Sequence, residues 1–331
     1  MQLSQELLFV FIISYVFAFC DTSPHNQPGK GQSVVTIERL TKHYGRVVAL
    51  DNLTLQIDQG EIVGLLGPNG SGKTTALRLL LGFLRPTAGR AVVAGFDCWR
   101  QSVEVRRRVS YLPGELRLYE NLTGRQFLEF LARLRGWAAS GAKEPGNGIP
   151  DAPGLARQWG LDLDRPIRTL SSGMKHKLAL ISVVVAGTPI AILDEPTNTL
   201  DPAMREEFLA LLRQWRNCGR TIILSSHVLS EVAAVCDRVA ILKQGRLAAL
   251  ERLSDLRELR RVRARLARPV AVPGSVPGVE AEENGQRTYS WVVRGSLQPL
   301  LRWLAEQEVE DLHLEPVGLE QIYRRIHGDT P

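Results

Sequence analysis

Between two apolar stretches of this chain lies Gly67-Pro-Asn-Gly-Ser-Gly-Lys73-Thr74, a match to G-x-x-x-x-G-K-[ST]. The motif restricts the fold because it works at one kind of place, the turn from a buried strand into a helix. Glu61-Ile-Val-Gly-Leu-Leu66 reads as that strand, and the residues from Lys73 onward read as the helix. Gly67, Gly70 and Gly72 let backbone N–H groups turn inward around phosphate oxygens, and the helix start adds the positive end of its dipole. Pro68, Asn69, Ser71 and Thr75 complete the cradle. The same chemistry assigns Lys73 to the β- and γ-phosphates of a nucleotide and the Thr74 hydroxyl to Mg2+.

Downstream, Ile190-Ala-Ile-Leu-Asp194-Glu195 reads as a buried strand ending in two carboxylates. At a strand end beside a phosphate loop, Asp194 can bind the magnesium shell, directly or through water, and Glu195 can polarise an attacking water. Thr221-Ile-Ile-Leu224 is a further short apolar strand, and from Val34 onward such strands alternate with helical segments. That alternation predicts an α/β fold with a largely parallel sheet covered by helices.

Local signals divide the rest. Thr123 and Gln126 are spaced as a capping box at a helix start, with Phe127, Phe130, Leu131 and Leu134 on one face. Ala138 to Pro153 is small, polar and Gly/Pro-rich, and reads as a surface insertion. After about Gly245 the pattern changes to a small α+β appendage. Leu253 to Leu259 reads as a helix, Val262 to Leu266 as a strand, and Asn284-Gly285 as a hairpin turn. Ser296 caps a last helix striped by Leu297, Leu300, Leu301 and Leu304.

The first 33 residues are set apart. Leu7 to Cys20 is an apolar run shorter than the roughly 20 residues of a spanning helix. It lacks the basic segment that precedes a signal-peptide core. An over-extended start is the first explanation, a membrane-contacting segment the second and a signal the third. The net charge of +6 comes from arginines scattered through the chain without interleaved aromatics, so nucleic-acid binding is not expected. Cys20, Cys98, Cys218 and Cys236 form no C-x-x-C pair, which points to reduced thiols rather than a zinc site or disulfide framework.

Over Val34 to Gly245 the chain resembles an ABC transporter nucleotide-binding domain. Leu170-Ser171-Ser-Gly173-Met174 resembles the family's signature, Asn198-Thr-Leu-Asp201 the loop after the Asp-Glu pair, His227 the switch histidine and Tyr44 the aromatic that stacks on adenine. The resemblance implies a P-loop NTPase of the ABC ATPase type. It would comprise a nucleotide-binding domain at 34–246, with an antiparallel subdomain and a helical subdomain at about 115–180, and a small C-terminal domain at 247–331.

The resemblance also implies a mechanism. Two copies of the chain would sandwich two ATP molecules, with Ser171 and Gly173 touching the γ-phosphate in trans, His227 touching it in cis and Asp201 communicating across the dimer. Two departures stand out. Ser172 and Met174 replace the signature's usual glycine and glutamine, and Gly114 occupies the place of a glutamine that touches Mg2+ and links the site to the membrane partner. The tail, Leu314 to Tyr323, resembles that of exporter ATPases of the drug-resistance type, whose membrane-spanning permease is a separate polypeptide. The expectation is therefore an ATPase subunit of a type 2 exporter on the cytoplasmic face of the membrane. The alternatives are a soluble ABC ATPase, or a nucleotide sensor that hydrolyses weakly.

Overall fold

The computed structural model describes residues 33–134, 152–268, 279–283 and 287–328. The leader ahead of Ser33, most of the expected insertion, Cys20 and the Asn284-Gly285 turn lie outside these residues. Contacts divide the chain into two compact units. One reaches Cys236 and takes in Leu242–Leu247, and the other combines Asp237–Ile241 with the residues from Ala248 onward.

The first unit contains two kinds of sheet. In the antiparallel one, β1 (Ser33–Tyr44) lies between β2 (Val47–Asp58) and β4 (Ala88–Val93), with β5 (Phe96–Asp97) beyond β4. The other holds β3 (Ile62–Leu66), β6 (Val109–Leu112), β7 (Ile190–Asp194) and β8 (Thr221–Ser226) in the order β3-β8-β7-β6, each pair parallel. Every residue of β3, β7 and β8 is buried, as expected where helices cover both faces of a parallel sheet. Register aligns the carboxyl ends of these strands: Leu66 pairs with Ser226 and Asp194 with Ser225. Ligands of open α/β sheets bind outside that edge.

Seven helices of this unit are described: α1 (Lys73–Leu80), α2 (Ser102–Arg108), α3 (Gly124–Leu134), α4 (Ala152–Gln158), α5 (Ser172–Val185), α6 (Pro202–Asn217) and α7 (Leu229–Val235). The capping box at α3 forms in both directions. The Gln126 N–H donates to Thr123 Oγ1 at 3.2 Å, and the Thr123 N–H donates to Gln126 Oε1 at 2.9 Å. Of the expected apolar face, Phe127 is buried and Leu134 is 67% exposed, so the stripe loses its cover in the last turn. Pro153, read as part of the insertion, stands in the first turn of α4, where its missing N–H breaks no helical bond.

Strands β9 (Arg238–Lys243) and β10 (Arg246–Arg252) are neighbours that straddle the division, and α8 (Leu253–Arg257) follows in the second unit. The expected Leu253 to Leu259 helix is shorter than its sequence pattern because Leu259 already pairs with Arg294 as the start of a strand. That strand, β11 (Leu259–Leu266), joins β12 (Val279–Glu283), β13 (Thr288–Arg294) and β14 (Val309–Pro316) in an antiparallel sheet of order β12-β13-β11-β14. Val262, Ala264 and Leu266 are buried while Arg263 and Arg265 are exposed, the two-residue period of a half-buried strand. The core gathers Val262, Trp291 and Val293 with Leu300 and Leu304 of α9 (Gln298–Ala305). Helix α9 starts one residue later than a Ser296 cap would set it. The Ser296 hydroxyl still accepts the Gln298 N–H at 3.3 Å, with Leu297 in the cap position. The chain continues into α10 (Leu319–His327).

Candidate nucleotide site

The loop Gly67 to Gly72 leaves β3 and enters α1 through backbone that only glycine adopts freely. Gly70 has φ +81° and Gly72 has φ +103°. Space is as restrictive as conformation. A Cβ on Gly67 would stand 2.5 Å from both the Leu242 carbonyl oxygen and Ser71 Oγ, and one on Gly72 would stand 2.6 Å from the Ala49 carbonyl oxygen. The turn is closed by the Ser71 N–H, which donates to the Pro68 carbonyl at 3.1 Å. Ser71 Oγ is buried and has no hydrogen-bond partner among the described residues, which suits a loop built around acceptor-rich phosphate.

Lys73 is buried, and its ammonium donates to the Gly67 carbonyl at 2.6 Å and the Pro68 carbonyl at 3.4 Å. The same nitrogen lies 3.5 Å from Glu195 Oε1. Opposite stands Asp194, at the end of β7 and 2% exposed. Its Oδ1 accepts the Thr74 hydroxyl at 3.2 Å and the Ser225 hydroxyl at 2.6 Å. Burial, with the Asp194 carboxylate adding to it, pushes the Tyr111 hydroxyl above its ordinary range.

Glu195 follows with φ +49°, a left-handed conformation uncommon for a residue with a Cβ. Its N–H is held by Ser225, donating to Oγ at 2.9 Å and to the carbonyl at 3.2 Å. That twist turns the side chain toward His227, whose Nδ1–H donates to Glu195 Oε2 at 2.8 Å. Segments around positions 73, 194 and 227 thus converge at one strand edge. Asp194 and the Thr74 hydroxyl are hard oxygen donors of the type Mg2+ takes from a protein while sharing the rest of its shell with phosphates and water. The residues present therefore fit the ion. Among the described residues no group of three or more His, Cys, Asp or Glu could hold a metal alone.

Other expected residues are placed differently. Tyr44 is 45% exposed at the end of β1, with Lys42 Nζ 5.2 Å from its ring centre, on the hairpin whose Ala49 backs against Gly72. Ser171 is exposed and N-caps α5, accepting the Met174 N–H at 3.3 Å. A Cβ on Gly173 would lie 3.5 Å from the Thr199 carbonyl oxygen. Asp201 N-caps α6 through the Met204 N–H at 2.9 Å. Among the described residues no hydrogen bond or ion pair joins Ser171, Gly173 or Asp201 to Lys73, Thr74, Asp194 or Glu195. Position 114 adjoins Asp194, since a Cβ there would lie 3.5 Å from its Oδ2, so the glycine is not imposed by lack of room.

Ser225, which stands in no sequence motif of its own, fastens both acids. A signal existed: Ser225 and Ser226 end an otherwise apolar, fully buried strand, where hydroxyls must find partners.

A family described as "ABC transporter" matches residues 50–198. The daunorubicin resistance ATP-binding protein DrrA2 of Streptomyces coeruleorubidus is 33% identical over 311 residues, covering 89% of this chain and 95% of that protein. The chain belongs to the family of ABC transporter ATP-binding proteins. This ABC ATPase is also 35% identical over 321 residues to the human phospholipid-transporting ATPase ABCA7, covering 89% of this chain but 14% of that protein's length. A solved structure of an ATP binding subunit of an ABC transporter aligns with a TM-score of 0.60 and 29% identity, over 68% of this chain and 92% of the other. The fold is accordingly that of the P-loop ABC ATPases.

Proposed function

We propose that this ABC ATPase is the ATP-hydrolysing subunit of a type 2 exporter, acting from the cytoplasmic face of the membrane on a separate permease. The carrying observation is the convergence of Lys73, Asp194, Glu195 and His227 at one strand edge. The domain at 34–246 would bind ATP, with Tyr44 against adenine, the loop Gly67 to Gly72 with Thr75 around the phosphates, and Lys73 on the β- and γ-phosphates. Thr74 and Asp194 would hold Mg2+, which when bound neutralises phosphate charge. Glu195 has Lys73 on one oxygen and His227 on the other, and it takes a proton from the attacking water as the bond between the γ-phosphorus and the bridging oxygen breaks.

Ser171 is exposed at the start of α5, and the helix N-terminus together with the Gly173 amide suits a phosphate of a second copy. In that homodimer the γ-phosphate is gripped from both sides, and its removal lets the pair open and drives the permease. Similarity over 89% of this chain and 95% of a drug-resistance ATP-binding protein supports an exporter. Among the described residues no helix is long and apolar enough to cross a membrane, in keeping with a separate spanning partner. A weakly hydrolysing sensor is the second reading, favoured by Gly114 beside Asp194.

Glu195→Gln is the test. The variant should keep ATP affinity, lose turnover by two orders of magnitude or more on the order of general-base removal, and accumulate an ATP-dependent dimer in size-exclusion chromatography. Parent-level phosphate release by the variant would remove Glu195 from the base role.

A further inference from the structure

We infer that Glu231, which no part of the hydrolysis reading uses, is a positioning residue tying the loop that carries Asp201 to the strand end that carries His227. The inference rests on the hydrolytic reading of the site. Glu231 lies in the first turn of α7 and is 5% exposed. Its Oε2 accepts the Thr197 hydroxyl at 2.6 Å and stands 3.4 Å from the Ser226 hydroxyl, a donor to the same oxygen. Thr197 is two residues beyond Glu195, and Ser226 immediately precedes His227. The contact between Glu195 and His227 is therefore bracketed by a second, buried bridge between the same two segments.

The other oxygen reaches a third segment. Oε1 lies 3.1 Å from Arg205 Nε, close enough for an ion pair. The N–H is not aimed along that line, so among the described residues neither atom completes a hydrogen bond. Arg205 belongs to α6, whose first turn is capped by Asp201. A contact pressing on Asp201 would tilt the start of α6, change how Arg205 meets Glu231, and through Ser226 move His227. An apolar side chain would fill this place without the cost of burying a carboxylate, so simple packing does not account for the acid. Three connected segments do.

The test uses the full chain, with Thr197→Val and Glu231→Gln alone and together. Thr197→Val deletes the 2.6 Å bond at almost constant volume, and Glu231→Gln keeps the shape while cancelling the charge facing Arg205. Each should lower kcat about tenfold with KM for ATP held within about twofold, and the double variant should be no slower than the slower single one, because both act through one bridge. Parent kcat in folded Thr197→Val, a raised KM at unchanged kcat, or losses that multiply in the double variant would each overturn the inference. A parent protein with no ATP turnover at all would instead overturn the reading of the site, and this proposal with it.

Discussion

Gly67 has no free space beside it: a Cβ would strike Ser71 Oγ, which can rotate, but also the Leu242 carbonyl, which is backbone and cannot swing aside. Gly67→Ala should therefore displace the loop, abolish ATP binding in a fluorescent-nucleotide titration, and cost about 1–3 kcal/mol in denaturant unfolding. His176 offers a pH test. It is buried in α5, its Nε2–H donates to the Pro196 carbonyl at 2.6 Å, and burial holds its pKa below the ordinary 6.5. The unfolded chain thus binds this proton at a higher pH than the folded one, so the contribution is fully present above about 6.5 and lost as pH falls below it. Unfolding midpoints should drop on acidification from pH 7 to 5, and His176→Gln should flatten that slope. At this scale the motifs point to Lys73, Thr74, Asp194 and Glu195 by their own chemistry and to His227 by family resemblance, and the structure brings these side chains to one strand edge. No motif discloses Ser225, Thr197 or Glu231, whose roles arise only when β7 and β8 pair in register.

Secondary elements were legible where their signals are local. The reciprocal bonds of Thr123 and Gln126 are of that kind, and Thr123→Ala should lower stability by about 1 kcal/mol, read as a shift in urea midpoint at constant m. Boundaries were less legible where two tendencies compete. Leu256 to Leu259 can continue a helix by pattern, but pairing of Leu259 with Arg294 recruits it into β11. Pro153 carries a loop signal in the sequence, but the opening turn of a helix accepts proline equally well. Alternating apolar runs disclosed parallel strands but not their order. That β8 lies between β3 and β7 follows from crossover connections, which no single segment encodes.

For the whole molecule, the proposed coupling to a permease runs through position 114. A side chain there meets Asp194 only at ordinary contact distance, and no unusual backbone angle demands glycine. Gly114→Gln should fold normally and raise turnover severalfold when the permease is present, measured as phosphate release in reconstituted vesicles; an identical rate would show that this loop does not transmit. The backbone twist at Glu195 carries a last consequence. Asparagine settles into that left-handed geometry with less strain than a glutamate does, a relief on the order of 1 kcal/mol. Selection for endurance alone would therefore drift away from the acid at this position, and with it from the proton acceptor proposed above for hydrolysis.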